Sequence, residues 1–165
     1  MRAVVVYESL WGNTASIARA VAEGLGPGTH AVPTDEATPE LLASVDLVVA
    51  GAPVLGFRLP TDGMRASVRK DPKAPPADLE HASMRAWLAG LRTGHGQGRS
   101  AAFETRFQRS PGGSVGAIST ALDEAGYPPV ARPAKFIVTG KYGPLRDGET
   151  DRARQWGADL ARAME

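Results

Sequence analysis

Six residues near the N-terminus, Ser9-Leu10-Trp11-Gly12-Asn13-Thr14, carry the clearest chemistry in the chain. They lie between a short β-branched run, Ala3 to Tyr7, and a segment in which Ile17, Val21 and Leu25 recur at helical spacing. A loop that opens a helix presents N–H groups the helix itself cannot satisfy, and such groups bind anions. No Lys or Arg lies in the loop, and Glu8 stands just before it. The G-x-x-x-x-G-K-[ST] pattern that grips a triphosphate is missing, as is the dinucleotide pattern G-x-G-x-x-G. The ligand that fits is a single phosphate monoester held by backbone N–H groups and hydroxyls. Each charge-assisted bond is worth about 1.5–3 kcal/mol. Ser, Asn and Thr are also common as plain helix N-caps. Their place after the first buried strand favours the anion site.

Other reactive side chains offer less. The absence of cysteine excludes disulfides, thiolate metal sites and a cysteine nucleophile, so any redox chemistry needs a bound cofactor. His30, His81 and His95 show no metal-ligand spacing and are expected at the surface. Ser114 and Ser119 lack the partners of a hydrolase triad, and Asp71, Asp78 and Glu80 read as unpatterned loop charges. The 19 basic and 18 acidic residues give a net charge of +1. With no basic run longer than two residues, neither nucleic acid nor an anionic membrane surface is an expected partner. No segment approaches the length of a membrane span, and MRAVVVYESL lacks the apolar stretch of a signal peptide. A cytoplasmic location without membrane insertion is expected.

The elements that must hold the loop follow from periodicity. Ala3–Tyr7, Val45–Ala50, Ser100–Phe103 and Phe136–Thr139 read as buried strands, and Thr29–Val32 as a weaker one. Helical spacing marks Met84 to Leu91, Val115 to Ala125 and Ala153 to Met164, with a short helix near Asp62 to Val68 inside an irregular, Pro-rich stretch from 54 to 82. Strands alternating with helices argue for one α/β domain, residues 1–165, whose parallel sheet is covered on both faces. Such sheets bind ligands beyond the carboxyl ends of their strands. The loops after Tyr7, after Gly51 and after Phe103 therefore matter most.

The motif Ser9-x-x-Gly12-Asn13-Thr14 resembles the phosphate loop of the flavodoxin family, with Trp11 where an aromatic is tolerated. The resemblance covers essentially the whole chain and is strongest to short-chain flavodoxin-like proteins of the actinobacterial type. It extends to Gly51-Ala52-Pro53, Arg85-Ala86-Trp87-Leu88, Glu104-Thr105-Arg106 and a tail of Gly143-Pro144-Leu145, Gly148-Glu149, Arg152-Ala153 and Trp156-Gly157. It implies a three-layer α/β sandwich with a five-stranded parallel sheet in the order 2-1-3-4-5. It also implies non-covalent FMN and electron transfer with redox partner proteins or a small-molecule electron acceptor. Ser9, Leu10, Trp11, Gly12, Asn13 and Thr14 would then hold the phosphate. Pro53, Val54, Leu55, Gly56 and Phe57 would line one side of the ring, with Glu104, Thr105, Arg106 and Phe107 along the other side and the pyrimidine edge. Phe57 and Phe107 are the loop aromatics available for stacking, whereas Trp87 and Trp156 fall on apolar helix faces. No catalytic side chain and no metal site are expected.

Three features depart from that family. Val54-Leu55 stands where a polar residue able to hydrogen-bond the ring is expected. Arg106 beside the flavin would stabilise the reduced anion and raise the potential, unless Glu104 neutralises it as an ion pair. The near-neutral charge lacks the acidic asymmetry with which flavodoxins dock basic partners. Two alternatives follow. One is an FMN-dependent NAD(P)H:quinone-type reductase; the other is a flavodoxin-fold binding or regulatory module that has lost FMN.

Overall fold

In the computed structural model, which describes residues 1–165, five parallel strands pair in the order β2-β1-β3-β4-β5. They are β1 (Ala3–Tyr7), β2 (His30–Pro33), β3 (Leu47–Pro53), β4 (Arg99–Arg106) and β5 (Ala134–Ile137). The helices are α1 (Asn13–Leu25), α2 (Pro39–Ala43), α3 (Asp62–Lys70), α4 (Met84–Ala89), α5 (Val115–Glu124) and α6 (Glu149–Ala163). The order matches the three-layer sandwich that the sequence implies. No helix is long and apolar enough to cross a membrane.

Strand alternation sorts the core into two halves. Ala3 and Val5 face α1 and α6, together with Val49, Ala101 and Phe103. Val4 and Val6 face α4 and α5, together with Val48, Ala50 and Ala102. Residues buried on both faces explain why β1 and β3 read as unbroken β-branched or small runs. On the first face, Phe103, Phe136 and Trp156 meet edge to face at centroid distances of 6.1–6.3 Å. The helices α1 and α6 approach closely over two glycines. A Cβ on Gly24 would lie 1.9 Å from the Arg154 carbonyl oxygen, and one on Gly157 would lie 2.3 Å from that of Val21. On the second face Trp87 is buried and its Nε1–H donates to the Ala37 carbonyl at 3.1 Å.

Several boundaries differ from expectation. β4 runs three residues further than Ser100–Phe103, so Glu104-Thr105-Arg106 is strand rather than loop. α2 was not anticipated; Thr38 caps it, accepting from the Leu41 N–H, and Pro39 opens it. Five residues are too few to show a 3.6-residue period. α6 begins four residues earlier than expected, at Glu149, whose buried carboxylate ties it to the sheet. Helix α3 buries no residue of its own. It is held through Arg65, which donates to Glu8 Oε2 at 2.6 Å and to the His81 carbonyl at 2.7 Å.

Candidate functional site

The loop after β1 turns into α1 at Gly12, whose φ of +92° lies in the left-handed region that favours glycine. The Gly12 N–H donates to Ser9 Oγ at 3.1 Å, and the Ser16 N–H donates to the Gly12 carbonyl at 3.0 Å to start the helix. The N–H groups of Leu10, Trp11, Asn13, Thr14 and Ala15 find no acceptor in the protein. Five donors at one helix N-terminus, where the helix dipole also favours negative charge, form a cradle for an anion. Beneath it the Thr14 and Thr105 hydroxyls, both buried, pair at 2.8 Å.

A strap, residues 71–82, holds this loop from outside. The Asp78 N–H donates to the Leu10 carbonyl at 2.8 Å, and Trp11 Nε1–H donates to the Pro75 carbonyl at 3.3 Å. His81, expected at the surface, is instead buried, and its Nε2 accepts from the Ser9 N–H at 3.3 Å. A neutral ring that accepts at Nε2 carries its proton on Nδ1. That nitrogen lies 3.3 Å from Asp78 Oδ1 without the geometry of a hydrogen bond. Glu8, fully buried, accepts from Arg65 through Oε2 and from the Met84 N–H through Oε1 at 2.9 Å. From the other side, Asn13 Nδ2–H donates to the Tyr142 carbonyl at 3.1 Å, and the Trp11 and Tyr142 rings meet edge-on at 4.8 Å.

The loop opens into a cleft of about 210 Å³ beyond the carboxyl ends of the strands. Of the residues expected there, Ser9, Leu10, Trp11, Asn13, Thr14, Pro53, Val54, Leu55, Gly56, Phe57, Thr105, Arg106 and Phe107 line it. One wall is a tight turn. Leu55 and Arg58 exchange backbone hydrogen bonds, and Gly56 and Phe57 have φ of +56° and +67°. Two positive φ values in succession mark the primed hairpin turn, which Phe57 adopts at a strain of roughly 1–3 kcal/mol. Phe57 is 61% exposed and Phe107, on the facing wall, is 46% exposed. The walls are tied together: the Gly113 N–H donates to the Phe57 carbonyl at 3.0 Å, and Ser114 Oγ–H donates to that of Pro53 at 2.8 Å. Gly112 permits the approach, since a Cβ there would sit 2.0 Å from the Phe57 carbonyl oxygen.

Glu104 does not line the cleft. Alternation along β4 sends Thr105 toward Thr14 and sends Glu104 to the α5 face, where it is fully buried. Its Oε2 accepts the Ser114 and Val115 N–H groups at 2.6 and 2.9 Å, capping α5, and its Oε1 accepts from Arg106 Nη1 at 2.9 Å. Arg106 spends its remaining donors on the carbonyls of Phe107, Gly112 and Ser110. The pair is thus a structural brace for the second wall. Gly12 shapes the phosphate loop without contributing to the lining.

Three lining residues escaped the sequence reading: Ser110, Val138 and Lys141. Val138 and Lys141 follow β5, so the same carboxyl-end rule that singled out the other loops applies to theirs. This fourth loop is anchored by Glu149. Its carboxylate accepts from the Ile137 N–H at 2.7 Å, from Arg146 at 2.9 Å and from Arg152 at 2.6 Å. Burial alone would raise its pKa, yet the Arg152, Ile137 and Arg146 hydrogen bonds outweigh that and hold the carboxyl below its ordinary value.

No family model and no curated protein matches the sequence. Solved structures do match. A flavodoxin from the domain Archaea superposes with a TM-score of 0.67 at 17% identity, over 99% of both chains. Oxidised Flavodoxin 1 from Bacillus cereus gives 0.67 at 16% identity, over 98% of each chain. The flavodiiron core of a Synechocystis protein gives 0.64 at 18% identity, with 99% of this chain spanning 36% of that one. Sheet order, layer arrangement and these superpositions agree: the chain has the flavodoxin fold.

Proposed function

We propose that this protein is a cytoplasmic, FMN-binding electron-transfer protein of the flavodoxin type. The observation that carries the reading is the cradle of five acceptor-less N–H groups, Leu10 to Ala15 without Gly12, opening onto a cleft rimmed by two exposed aromatic rings. A phosphate dianion supplies the acceptors that those donors lack. A flat, largely apolar ring suits the space between Phe57 and Phe107. FMN unites both requirements in one molecule, and when bound it supplies one- and two-electron chemistry that belongs to its ring.

The chain's own residues bind and orient. Backbone N–H groups and the Ser9 hydroxyl hold the phosphate, which needs no cation because the helix dipole and charge-assisted bonds suffice. Phe57 and Phe107 exclude water from the ring faces. Arg106 contributes little net positive field there, because Glu104 matches its charge at 2.9 Å. A second reading, an FMN-dependent reductase for a small-molecule acceptor, draws on a groove of about 270 Å³ beside the cleft. That groove shares Trp11, Leu55, Gly56 and Lys141 with the cleft and is closed by Met64 and Val68 of α3. Partner-free oxidation of NAD(P)H in the presence of a quinone would favour it.

Fluorescence-quenching titrations with FMN and riboflavin test the main reading, because only FMN carries the phosphate. FMN should bind far more tightly than riboflavin. Ser9→Ala, which removes the hydroxyl that holds the phosphate, should weaken FMN by about tenfold or more, the lower end of one charge-assisted bond, and leave riboflavin nearly unchanged. Equal losses for both ligands would remove the phosphate assignment. FMN emission that stays unquenched would remove the cofactor.

A further inference from the structure

Charge around the mouth of the cleft is one-sided. The four segments that build it, 9–14, 53–60, 107–114 and 138–144, contain no Asp or Glu. They carry three cations, Arg58, Arg109 and Lys141, while Arg106, which ends β4 just before the third segment, is neutralised by Glu104. All three are exposed, and none forms a salt bridge. Elsewhere acidic residues accompany the cations, and Arg65, Arg146, Arg152, Arg154 and Arg162 each meet a carboxylate. Because the whole chain is only +1, the molecule outside these segments is net negative. Positive charge is thus concentrated at the end of the sheet where the cleft opens.

The fold gives no reason for this concentration. Like charges at one rim repel, and no carboxylate comes within ion-pair distance of them, although Asp71 lines the neighbouring groove with Lys141. Within the rim lie Phe57 and Phe107, which with Met1 are the large apolar side chains left exposed. An apolar centre ringed by charge, with arginine prominent, is the anatomy of a protein–protein interface. The sign of the ring selects the partner and steers its approach.

We propose that this rim docks the acidic surface of a redox protein, whose carboxylates meet Arg58, Arg109 and Lys141 and bring its redox centre over the cleft. The proposal rests on the reading that electrons enter or leave through that cleft. It specifies a partner charge opposite to the basic surface that an acidic flavodoxin would need. Lys141 lines the cleft and also lies 5.5 Å from the Tyr142 ring centre, so it borders the cofactor as well as the rim. Arg58 and Arg109 lie outside the lining and are the residues to change.

The test compares two probes of opposite charge, an acidic plant-type [2Fe–2S] ferredoxin and a basic cytochrome c. Each is titrated by biolayer interferometry against the full-length protein incubated with FMN. At about 20 mM salt, where the Debye length exceeds 20 Å, ferredoxin should bind at least about tenfold more tightly than cytochrome c. At about 200 mM, where it falls below 8 Å, that preference should largely vanish. The Arg58→Glu/Arg109→Glu double variant should reverse the preference while its FMN affinity and melting temperature stay unchanged. Single Arg58→Gln and Arg109→Gln variants should each move ferredoxin affinity part of the way, which keeps the test decisive should the double variant fold poorly. A preference for cytochrome c, equal binding of the two probes, or ferredoxin affinity indifferent to these substitutions would overturn the proposal. So would a loss of FMN affinity parallel to that of ferredoxin, since the cations would then serve the cofactor alone. FMN quenching is read separately. Protein that captures ferredoxin but not FMN would overturn the cofactor reading and leave the docking surface standing; FMN binding without ferredoxin capture would overturn docking alone.

Discussion

The phosphate end of the cleft and the ring end are built on opposite plans. At the phosphate end the working groups are backbone N–H donors, and the loop that carries them is fixed from behind by Asp78, Pro75 and His81 and from the side by Tyr142. At the ring end the working groups are side chains on tight turns, with Phe57 and Phe107 61% and 46% exposed. Phosphate recognition is therefore preorganised and difficult to alter without disturbing the chain. Ring recognition depends on replaceable surfaces and should respond to single substitutions in small steps.

The sharpest way to break the ring end is from beneath. Glu104→Ala would leave Arg106 buried without its carboxylate and strip the cap from α5, a loss of about 3–5 kcal/mol of stability. Chemical denaturation should show it, and flavin and riboflavin affinity should fall together because both walls loosen. A milder lever is acid. Glu149 has a lowered pKa in the fold, so its contribution to stability is fully present above its ordinary value of 4.5 and is lost as pH falls through the lower folded value. Denaturation midpoints measured from pH 6 down to about pH 3 should therefore fall more steeply for the native protein than for Glu149→Gln. The loop bearing Val138 and Lys141 should loosen with that loss, ahead of the phosphate loop, whose residues 9–14 contain no carboxylate.

The phosphate end breaks through the strap. His81→Ala removes the acceptor of the buried Ser9 N–H, a cost of about 1–3 kcal/mol. FMN affinity should fall by more than riboflavin affinity, because the N–H cradle is displaced while the walls are untouched. His81→Gln, whose side-chain oxygen can accept in place of Nε2, should recover part of the loss. Comparable losses for the two ligands would mean that the strap supports the site as a whole rather than its phosphate end.

The same contrast explains what was legible in the sequence. β1, β3 and the loop between Ser9 and Thr14 were readable because buried parallel strands are unbroken apolar runs and the loop's work is local. His81, Asp78 and Glu8 were not. Their roles depend on contacts across 72, 68 and 57 or more residues, which no periodicity encodes. Glu104-Thr105-Arg106 misled for a different reason: charged residues suggest a loop, yet here each charge finds its partner within the fold. The Ser114 and Val115 N–H groups satisfy the carboxylate, and carbonyls of the next turn satisfy the guanidinium. A polar strand end is stable once its hydrogen bonds are complete.

The smallest expected effect is also the one that separates function from stability most directly. Phe57 holds a left-handed φ of +67° that glycine would adopt without strain. Phe57→Gly should therefore leave the flavin-free protein as stable or more so, by up to about 1 kcal/mol, since relief of strain is partly offset by the greater freedom of glycine in the unfolded chain. The same substitution removes a ring from the cleft wall and should weaken FMN and riboflavin equally, by about 0.5–1.5 kcal/mol beyond the loss of buried area. Opposite signs in thermal stability and flavin affinity would show that a strained backbone is maintained to present an aromatic surface. A drop in both would place Phe57 among the residues that hold the turn together, and the ring end would then be as structural as the phosphate end.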